Sequence, residues 1–322
     1  MATKLKAGGF MEFVKRQDLK RIWGGFWQLA DPKIWIASTV PMFVGETMAI
    51  CIGKRFNLFW FIVALIAVYL IETGKNAFNE VIDYKSGVDV FVDEKDRTPF
   101  SGGKKTIVQG KLTVTEAAAI AVLTTGAACV LGLIIVLFWE RSVLWIGLAG
   151  VVISVIYSLP PFKLCYRGLG EVAVGFTFGP LIVTGIYLAM TGTIDYRVVI
   201  AAVPIGFLIA NVLWINQYPD YEADKKGGKF NWVVRLGKKK ALKYYALWFI
   251  LAYVFFIVIA VLFRNPFWLL GFVSVPIAVQ CVKTAYKYYD DTQKLTPANA
   301  KTIQVYIVTG LAMIVAAITH LL

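Results

Sequence analysis

The stretch Asn216-Gln-Tyr-Pro-Asp220-Tyr-Glu-Ala-Asp224-Lys-Lys-Gly-Gly-Lys229 lies where an apolar segment, about residues 198–215, meets a strongly basic loop. Asn216, Asp220 and Asp224, which we call the second cluster, are four residues apart, so a helix would place them on one face. Carboxylate and amide oxygens are the hard ligands that Mg²⁺ prefers in proteins. The stretch therefore predicts a magnesium site at the end of an apolar helix.

A related set of residues occurs upstream. Asn79-Glu-Val-Ile-Asp83 ends another apolar segment, and Asp89 follows after a glycine. We call Asn79, Asp83 and Asp89 the first cluster. Each cluster is followed by a loop rich in Gly, Lys and Arg, which we call the first and the second basic loop. Metal ions together with cationic loops are a common way to hold a diphosphate. The matched Asn-x3-Asp cores favour two halves of one polyphosphate site, facing a shared cavity.

The composition indicates a membrane protein. The chain has 322 residues, of which 58% are hydrophobic and only 16% charged, and its mean hydropathy is +0.67. Soluble domains are usually about 45–50% apolar and about a quarter charged. No signal peptide is expected, because residues 1–19 contain no apolar core. The four cysteines lie far apart and match no zinc or redox spacing.

The apolar segments predict an all-α polytopic membrane protein, with nine transmembrane helices around a central cavity and a single domain over residues 1–322. Each segment is near the ~20 residues that a helix needs to cross a bilayer. The segments are at about residues 34–53, 57–74, 114–138, 142–159, 169–191, 196–216, 243–263, 266–286 and 301–322. Within residues 1–33, the pattern of Phe10–Ala30 predicts an amphipathic helix in the lipid headgroup region, with a solvated tail helix as the alternative.

The basic residues predict the orientation in the membrane. All but five of the 33 lysines and arginines fall in segments on the same side as the N-terminus. By the positive-inside rule the N-terminus is cytoplasmic, and both clusters lie at the cytoplasmic face of the cell membrane. The net charge of +13 is then explained by this topology and by a phosphate site. No nucleic-acid partner is expected.

The two clusters supply the expected ligands, although a solvated loop with Asp–Lys pairs would explain either cluster alone. The side chains expected at the metal site, as ligands or hydrogen-bonding supports, are Asn79, Asp83, Asp89, Asn216, Asp220 and Asp224. The basic residues expected to contact the diphosphate are Lys85, Arg97, Lys104, Lys105, Lys163, Arg167, Lys225 and Lys229. The pairs Gly102-Gly103 and Gly227-Gly228 allow close approach of the backbone.

These motifs resemble the UbiA superfamily of intramembrane prenyltransferases, and within it the MenA-like branch of 1,4-dihydroxy-2-naphthoate prenyltransferases. The residues that carry the resemblance are Asn79–Asp89, Arg97–Gly103, Tyr157–Lys163, Gly168–Glu171, Asn216–Lys229 and Arg235–Gly237. The resemblance implies Mg²⁺-dependent transfer of a polyprenyl group from a polyprenyl diphosphate to an aromatic acceptor. It also implies that the first and second clusters are the two metal motifs, and that the prenyl tail lies in an apolar cavity open to lipid.

Ionisation of a prenyl diphosphate makes electrostatic demands that the sequence can meet. Asp83, Asp89, Asp220 and Asp224 would stabilise the leaving group, and the ring of Tyr157 is our candidate for facing the allylic cation. An interfacial tyrosine is the alternative for Tyr157. Glu171 could orient the acceptor or a lysine, or simply favour the dipole at a helix start.

Three features depart from the pattern of the resembled branch. The usual Arg-Pro pair before the first helix is replaced by Asp31-Pro32, which leaves the identity of the acceptor open. The acidic spacing after Asp83 is six rather than four. Further acids that could share the metal role are Asp93, Glu94 and Asp96. Glu46, inside the first apolar segment, could face the acceptor cavity, and His320 is not expected to be a ligand.

Other functions remain as alternatives to this one. The acceptor could be a non-aromatic lipid or a carotenoid. A cation-coupled transporter would place carboxylates near the bilayer midplane, where Glu46 and Glu72 are the main examples, whereas the clusters lie at segment ends. The motif of CDP-alcohol phosphotransferases, which also use paired aspartates, does not occur. The sequence therefore favours a prenyltransferase.

Overall fold

The computed structural model describes residues 18–93, 96–100 and 103–321, and within these ranges the chain is helical without β-strands. The helices are α1 (18–30), α2 (Ile36–Cys51), α3 (Leu58–Ser86), α4 (Val114–Phe138), α5 (Val143–Ser158), α6 (Gly170–Thr191), α7 (Tyr196–Asn216), α8 (Tyr221–Lys226), α9 (Trp232–Leu236), α10 (Lys238–Leu262), α11 (Pro266–Tyr288) and α12 (Thr292–Ile318). A π-helical turn interrupts α6 at Thr177–Leu181, and α11 begins as a 3-10 helix.

Seven of these helices are long and apolar enough to cross a membrane: α3, α4, α6, α7, α10, α11 and α12. The apolar helices α2 and α5 have 16 residues each. At ~1.5 Å per residue, such a helix spans ~24 Å, which is less than the ~30 Å hydrocarbon core. The predicted all-α polytopic membrane fold is confirmed, and the count of nine transmembrane helices stays a prediction.

The apolar helices surround a central cavity because α12, the last of them, packs against α2, the first. α12 contacts α2, α7 and α11, while α3 packs along α4 and α7 along α10. The hydroxyl of Tyr306 in α12 donates a hydrogen bond to the carbonyl of Ala37 in α2 at 2.6 Å. Both residues also line the cavity, so this contact closes the ring of helices beside it.

α6 and α7 cross very closely at three glycines. A Cβ atom added at Gly179 would lie 2.7 Å from the Cα of Gly206, and one added at Gly175 would lie 3.0 Å from the Gly206 carbonyl oxygen. Small residues at helix crossings let the backbones touch, which is how membrane helices commonly associate. The crossing fixes α7, whose end carries Asn216.

α3 extends well beyond the predicted span of residues 57–74. Asn57 accepts a hydrogen bond from the Trp60 amide at its start, and Gly87, with φ of +83°, ends it. The helix continues through Gly74 and ends only where Gly87 takes the left-handed conformation that terminates helices. The extension holds Asn79 and Asp83 on one rigid element. α10 and α12 likewise begin earlier than predicted, at residues 238 and 292.

The described part of the N-terminal segment is the helix α1. Its Leu19 and Trp23 are 67% and 63% exposed, and Arg21 forms a 2.7 Å ion pair with Glu116 at the start of α4. Exposed apolar side chains on a helix tied to a membrane helix are typical of an interfacial segment. Residues 1–17 of the predicted segment lie outside the described residues, and the interfacial location stays a prediction.

Candidate active site

A cavity of about 710 Å³ contains residues of both clusters in its wall. The first cluster contributes Asn79 and Asp83 from α3, and the second contributes all three of its residues from the end of α7 and the start of α8. Since α3 and α8 are distant in the chain, the helical bundle is what brings the acids together.

Lys229 links the two clusters directly. Its ammonium donates to Oδ2 of Asp83 at 2.8 Å and lies 3.9 Å from Oδ1 of Asp224. The hydroxyl of Tyr166 donates to Oδ1 of Asp83 at 2.7 Å. Burial lowers the pKa of Lys229, but the carboxylates of Asp83 and Asp224 outweigh it and raise that pKa well above its usual range. One cation therefore lies within reach of both acidic clusters.

Asp89, the third member of the first cluster, is buried below a glycine loop. Gly103 has φ of +68° and lies so close that a side chain there would collide with the Asp89 carboxylate. Oδ2 of Asp89 has no hydrogen-bond partner in the structure. Burial and the nearby Asp83 carboxylate raise the pKa of Asp89 to about 9. Crowded, incompletely hydrogen-bonded carboxylates of this kind favour a divalent cation.

The second cluster does not lie on one continuous helix, as its spacing predicted. α7 ends at Asn216, and α8 begins at Tyr221 after a turn that contains Pro219. Proline lacks an amide hydrogen and disfavours helical geometry in the residue before it, which explains the break. The cavity is nevertheless lined by Asp220 and Asp224 on the far side of the turn.

Two asparagines support the second cluster. Nδ2 of Asn231 donates to Asp224 at 2.7 Å, while its Oδ1 caps α9 by accepting from the Val234 amide. Nδ2 of Asn299 in α12 donates to Oδ1 of Asn216 at 2.8 Å. Burial is the main reason that the pKa of Asp224 lies well above its usual range. The Asn216 oxygen is thus fixed toward α12.

Glu80 is a residue that the sequence analysis did not assign. Its Oε1 accepts from the Thr106 hydroxyl at 2.8 Å and from the Ile107 amide at 3.1 Å, and its Oε2 accepts from the Lys104 amide at 3.1 Å. The side chain is 2% exposed. It therefore anchors the basic loop that follows the first cluster. Its position inside the Asn79-x3-Asp83 motif is the sequence feature that could have indicated a role at the site.

Only two of the eight basic residues predicted to contact the diphosphate line the cavity. Lys104 and Lys229 line the cavity, but Lys104 pairs with Asp31 at 2.6 Å. The reversed charge at Asp31 is therefore matched by a lysine from the first basic loop. The predicted contacts that do not line the cavity are Lys85, Arg97, Lys105, Lys163, Arg167 and Lys225.

Among those six residues, exposure differs. Lys85 and Lys225 are exposed, as is Arg167. Lys163 is half-buried, with its ammonium 4.9 Å from the centre of the Tyr166 ring. Nε of half-buried Arg97 has no hydrogen-bond partner. Burial, and then the nearby Arg97 charge, lower the pKa of Lys105.

Of the additional acids, Asp93 and Asp96 do not line the cavity. The carboxylate of Asp96 accepts from the Thr292 hydroxyl at 2.7 Å, which connects the first basic loop to α12. Asp93 is exposed, and Glu94 lies outside the described residues. Glu46 is buried on α2 and lines neither this cavity nor an apolar cavity between α3, α4, α5 and α6. His320 accepts a hydrogen bond from Trp268 beyond α12.

The structure shows the contacts of Glu171 and Tyr157, two residues for which the sequence left alternative roles. Oε1 of Glu171 accepts from Gln217 Nε2 at 3.0 Å and from the Trp232 amide at 3.1 Å, so it ties the start of α6 to the second basic loop. Tyr157 lines the cavity, and the ammonium of Lys75 lies 5.7 Å from the centre of its ring. Lys75, one turn before Asn79, was not assigned from the sequence.

A second cavity of about 360 Å³ lies between α3, α4, α5 and α6. Its wall is almost wholly aliphatic and aromatic, with residues such as Val68, Leu133 and Phe178. The polar exception includes Ser38 and Glu72, whose side chains are hydrogen-bonded to each other. A chamber of this composition suits a hydrocarbon chain.

The donor chemistry of the two clusters fits Mg²⁺. All of the candidate ligand atoms are carboxylate or amide oxygens, and the Asp89 oxygen without a partner is available to a cation. In the described part of the chain, no three Asp, Glu, His or Cys side chains already form a metal-binding group. The ammonium of Lys229 lies between the two clusters.

Comparison with known proteins identifies the family. The UbiA prenyltransferase family matches residues 38–315. The chain is 29% identical to 1,4-dihydroxy-2-naphthoate octaprenyltransferase of Bacillus subtilis, over 80% of each protein. It is 27% identical to 2-carboxy-1,4-naphthoquinone phytyltransferase of Synechocystis, over 88% of this chain and 89% of that protein.

The solved structures agree on the fold. A UbiA homologue from Archaeoglobus fulgidus bound to GPP and Mg²⁺ superposes with a TM-score of 0.61 at 18% identity, over 90% of this chain and 99% of that one. The apo UbiA homologue of Aeropyrum pernix gives 0.66 at 17% identity, over 88% and 98%. With a family match over most of its length, this chain belongs to the UbiA prenyltransferase family, and it is a prenyltransferase with the family's helical membrane fold.

Proposed function

We propose that this prenyltransferase transfers a polyprenyl group from a polyprenyl diphosphate to an aromatic acceptor of the naphthoate or quinone-precursor class, and that it requires Mg²⁺. The observation that carries the proposal is the contact of Lys229 with both Asp83 and Asp224 at one cavity. Acids that one ammonium can reach are close enough to serve a single diphosphate. The naphthoate and naphthoquinone names of two relatives support the acceptor class.

The reaction separates into bond breaking and bond making. The C1–O bond of the prenyl diphosphate breaks, and both electrons leave with the diphosphate. A ring carbon of the acceptor then forms the new C–C bond, and the ring loses a proton to solvent. Bound Mg²⁺ would supply the positive charge that stabilises the leaving group, held by Asn79, Asp83, Asp89, Asn216, Asp220 and Asp224.

The remaining roles fall to this chain's own side chains. Lys229 would contact the diphosphate oxygens, as would Arg97 and Lys104 from the first basic loop. The Tyr157 ring would face the allylic carbon, where its π-electrons stabilise positive charge. The second cavity would hold the prenyl tail and keep water from the cation. These roles agree with the cavity wall for Lys104, Tyr157 and Lys229.

The proposal includes a location. The chain is a multi-pass membrane protein, and the excess of lysine and arginine on one side supports a cytoplasmic active site in the cell membrane. In intact cells, an impermeant thiol reagent should label a single cysteine placed at Arg141 and should not label one placed at exposed Lys226. Labelling of the Lys226→Cys variant from outside would reverse the orientation.

The experiment uses the full-length protein in nanodiscs with a radiolabelled polyprenyl diphosphate. A panel of acceptors should include naphthoic acids, other aromatic acids, glycerol phosphate lipids and carotenoids. We expect Mg²⁺-dependent product with a naphthoate-type acid and none with EDTA. Transfer only to a glycerol phosphate lipid or a carotenoid would overturn the acceptor class. Proton-driven flux in liposomes without any prenyl transfer would favour a transporter.

A further inference from the structure

Lys75 is a cation in the wall of the main cavity that forms no ion pair with an acid among the described residues. Its side chain is half-buried, and within the described ranges its ammonium makes no hydrogen bond or ion pair. The ammonium lies 5.7 Å from the centre of the Tyr157 ring. The two other half-buried cavity lysines, Lys104 and Lys229, are paired with Asp31 and Asp83.

The position of Lys75 separates it from the acidic clusters. It shares a face of α3 with Asn79 and Asp83, because the three residues are four apart. At ~1.5 Å per residue, its Cα lies ~12 Å along the helix from that of Asp83. Helical side chains tilt toward the helix N-terminus, which for α3 is the end away from the clusters. Lys75 is therefore on the deeper side of the proposed diphosphate position.

The nearest acid on α3 does not neutralise this charge through an ion pair. Glu72, one turn deeper, is hydrogen-bonded to Ser38, and both residues belong to the wall of the apolar second cavity. Glu72 therefore attracts the Lys75 ammonium only through space. A half-buried ammonium without a hydrogen-bonded counter-ion is costly, since much of its hydration is lost. Such a group is favourable when a ligand brings the missing negative charge.

We propose that Lys75 binds the anionic group of the acceptor, a carboxylate or an ionised phenol, and so determines the acceptor's specificity and position. The inference rests on the proposed function and deepens it. The ammonium and the Tyr157 ring together would hold a flat acidic ring between the diphosphate and the apolar interior. Tyr157 would then border both the acceptor and the allylic carbon.

The test compares the Lys75→Met variant with wild-type protein in the prenyl-transfer assay. Methionine keeps most of the side-chain length and removes the charge. We expect the KM for the acidic acceptor to rise ~10–100-fold, as for loss of a charge-assisted hydrogen bond, while the KM for the prenyl diphosphate changes less than ~2-fold. Lys75→Arg should recover most of the affinity. Lys239→Met, at an exposed lysine, is the matched control.

An acceptor analogue without its acidic group completes a thermodynamic cycle. Wild-type protein should bind the analogue more weakly by about the factor that Lys75→Met costs with the acid, and the variant should barely distinguish the two compounds. Equal losses with acid and analogue, or a raised KM for the diphosphate instead, would overturn the inference. Size-exclusion profiles and melting temperatures show whether each variant is folded.

The outcomes separate this inference from the proposed function. If wild-type protein prenylates no aromatic acid, the proposed function fails. If wild-type protein is active and Lys75→Met matches it in both KM values, the proposed function stands and the role of Lys75 is excluded.

Discussion

The two acidic clusters have the same Asn-x3-Asp core but are supported in different ways. Asp83 in the first cluster is held by Tyr166 and Lys229, which are 83 and 146 residues away in the chain. Asp224 in the second is held by Asn231, only seven residues away. Asp224 is thus held within its own segment, whereas Asp83 depends on tertiary contacts; in the second cluster, the tertiary contact is made by Asn216, which accepts from Asn299 in α12. The site is complete only when the bundle has closed.

The largest expected effect tests whether the clusters act as one site. Asp83→Asn and Asp224→Asn should each lower kcat for prenyl transfer by ~10³-fold or more, because each removes a charge from the stabilisation of the leaving diphosphate. The measurement is product formation under saturating Mg²⁺, with size-exclusion profiles as the folding control. If either variant kept a tenth of wild-type activity, the two clusters would not be equivalent halves.

A smaller effect is expected where the clusters meet. Lys229→Met should lower kcat/KM by ~10–100-fold, the usual range for a lost charge-assisted contact, mainly through a higher KM for the diphosphate. In combination with Asp83→Asn the losses should be less than additive, because both changes remove the same contact. Exposed Lys226 in the same loop is the control as Lys226→Met. Strict additivity would indicate that the contact has no functional weight.

The different supports should also be visible in dynamics. Glu80→Gln replaces an acceptor oxygen with an amide that faces other donors, which costs ~1–3 kcal/mol in a buried position. We expect faster hydrogen exchange at residues 104–107 and an activity loss of ~10-fold, without faster exchange at residues 220–234. Faster exchange in both loops would show that the second cluster depends on the first after all.

The smallest effect concerns residues that the sequence assigned to the diphosphate and the structure places outside the cavity wall. Lys85→Met and Lys225→Met should each change kcat/KM by less than ~2-fold, since exposed charges at a distance from the site are screened by solvent and salt. Steady-state kinetics at 0.15 M salt are the measurement. A 10-fold loss in either would mean that the end of α3 or of α8 moves onto the substrate.

The sequence predicted those features that depend on residues close together in the chain. Hydropathy marked the membrane helices, and the Asn-x3-Asp cores marked both clusters. It could not give the end of α3, because helices continue past apolar residues until a breaker such as Gly87. The pairing of Asp31 with Lys104 joins residues 73 apart, and no spacing rule predicts such a contact. Lys75 was overlooked because a single lysine in a helix carries no motif.

The glycine crossing of α6 and α7 limits how the bundle can adapt to its substrates. Gly175, Gly179 and Gly206 bring the two backbones into contact, so at these three positions the crossing has no side chain that can change rotamer. Side chains that can repack lie instead on α3, α4 and α5, around the apolar chamber. A long isoprenoid should therefore be admitted through that wall, and variants that stiffen it should slow product release while leaving the seam unaffected.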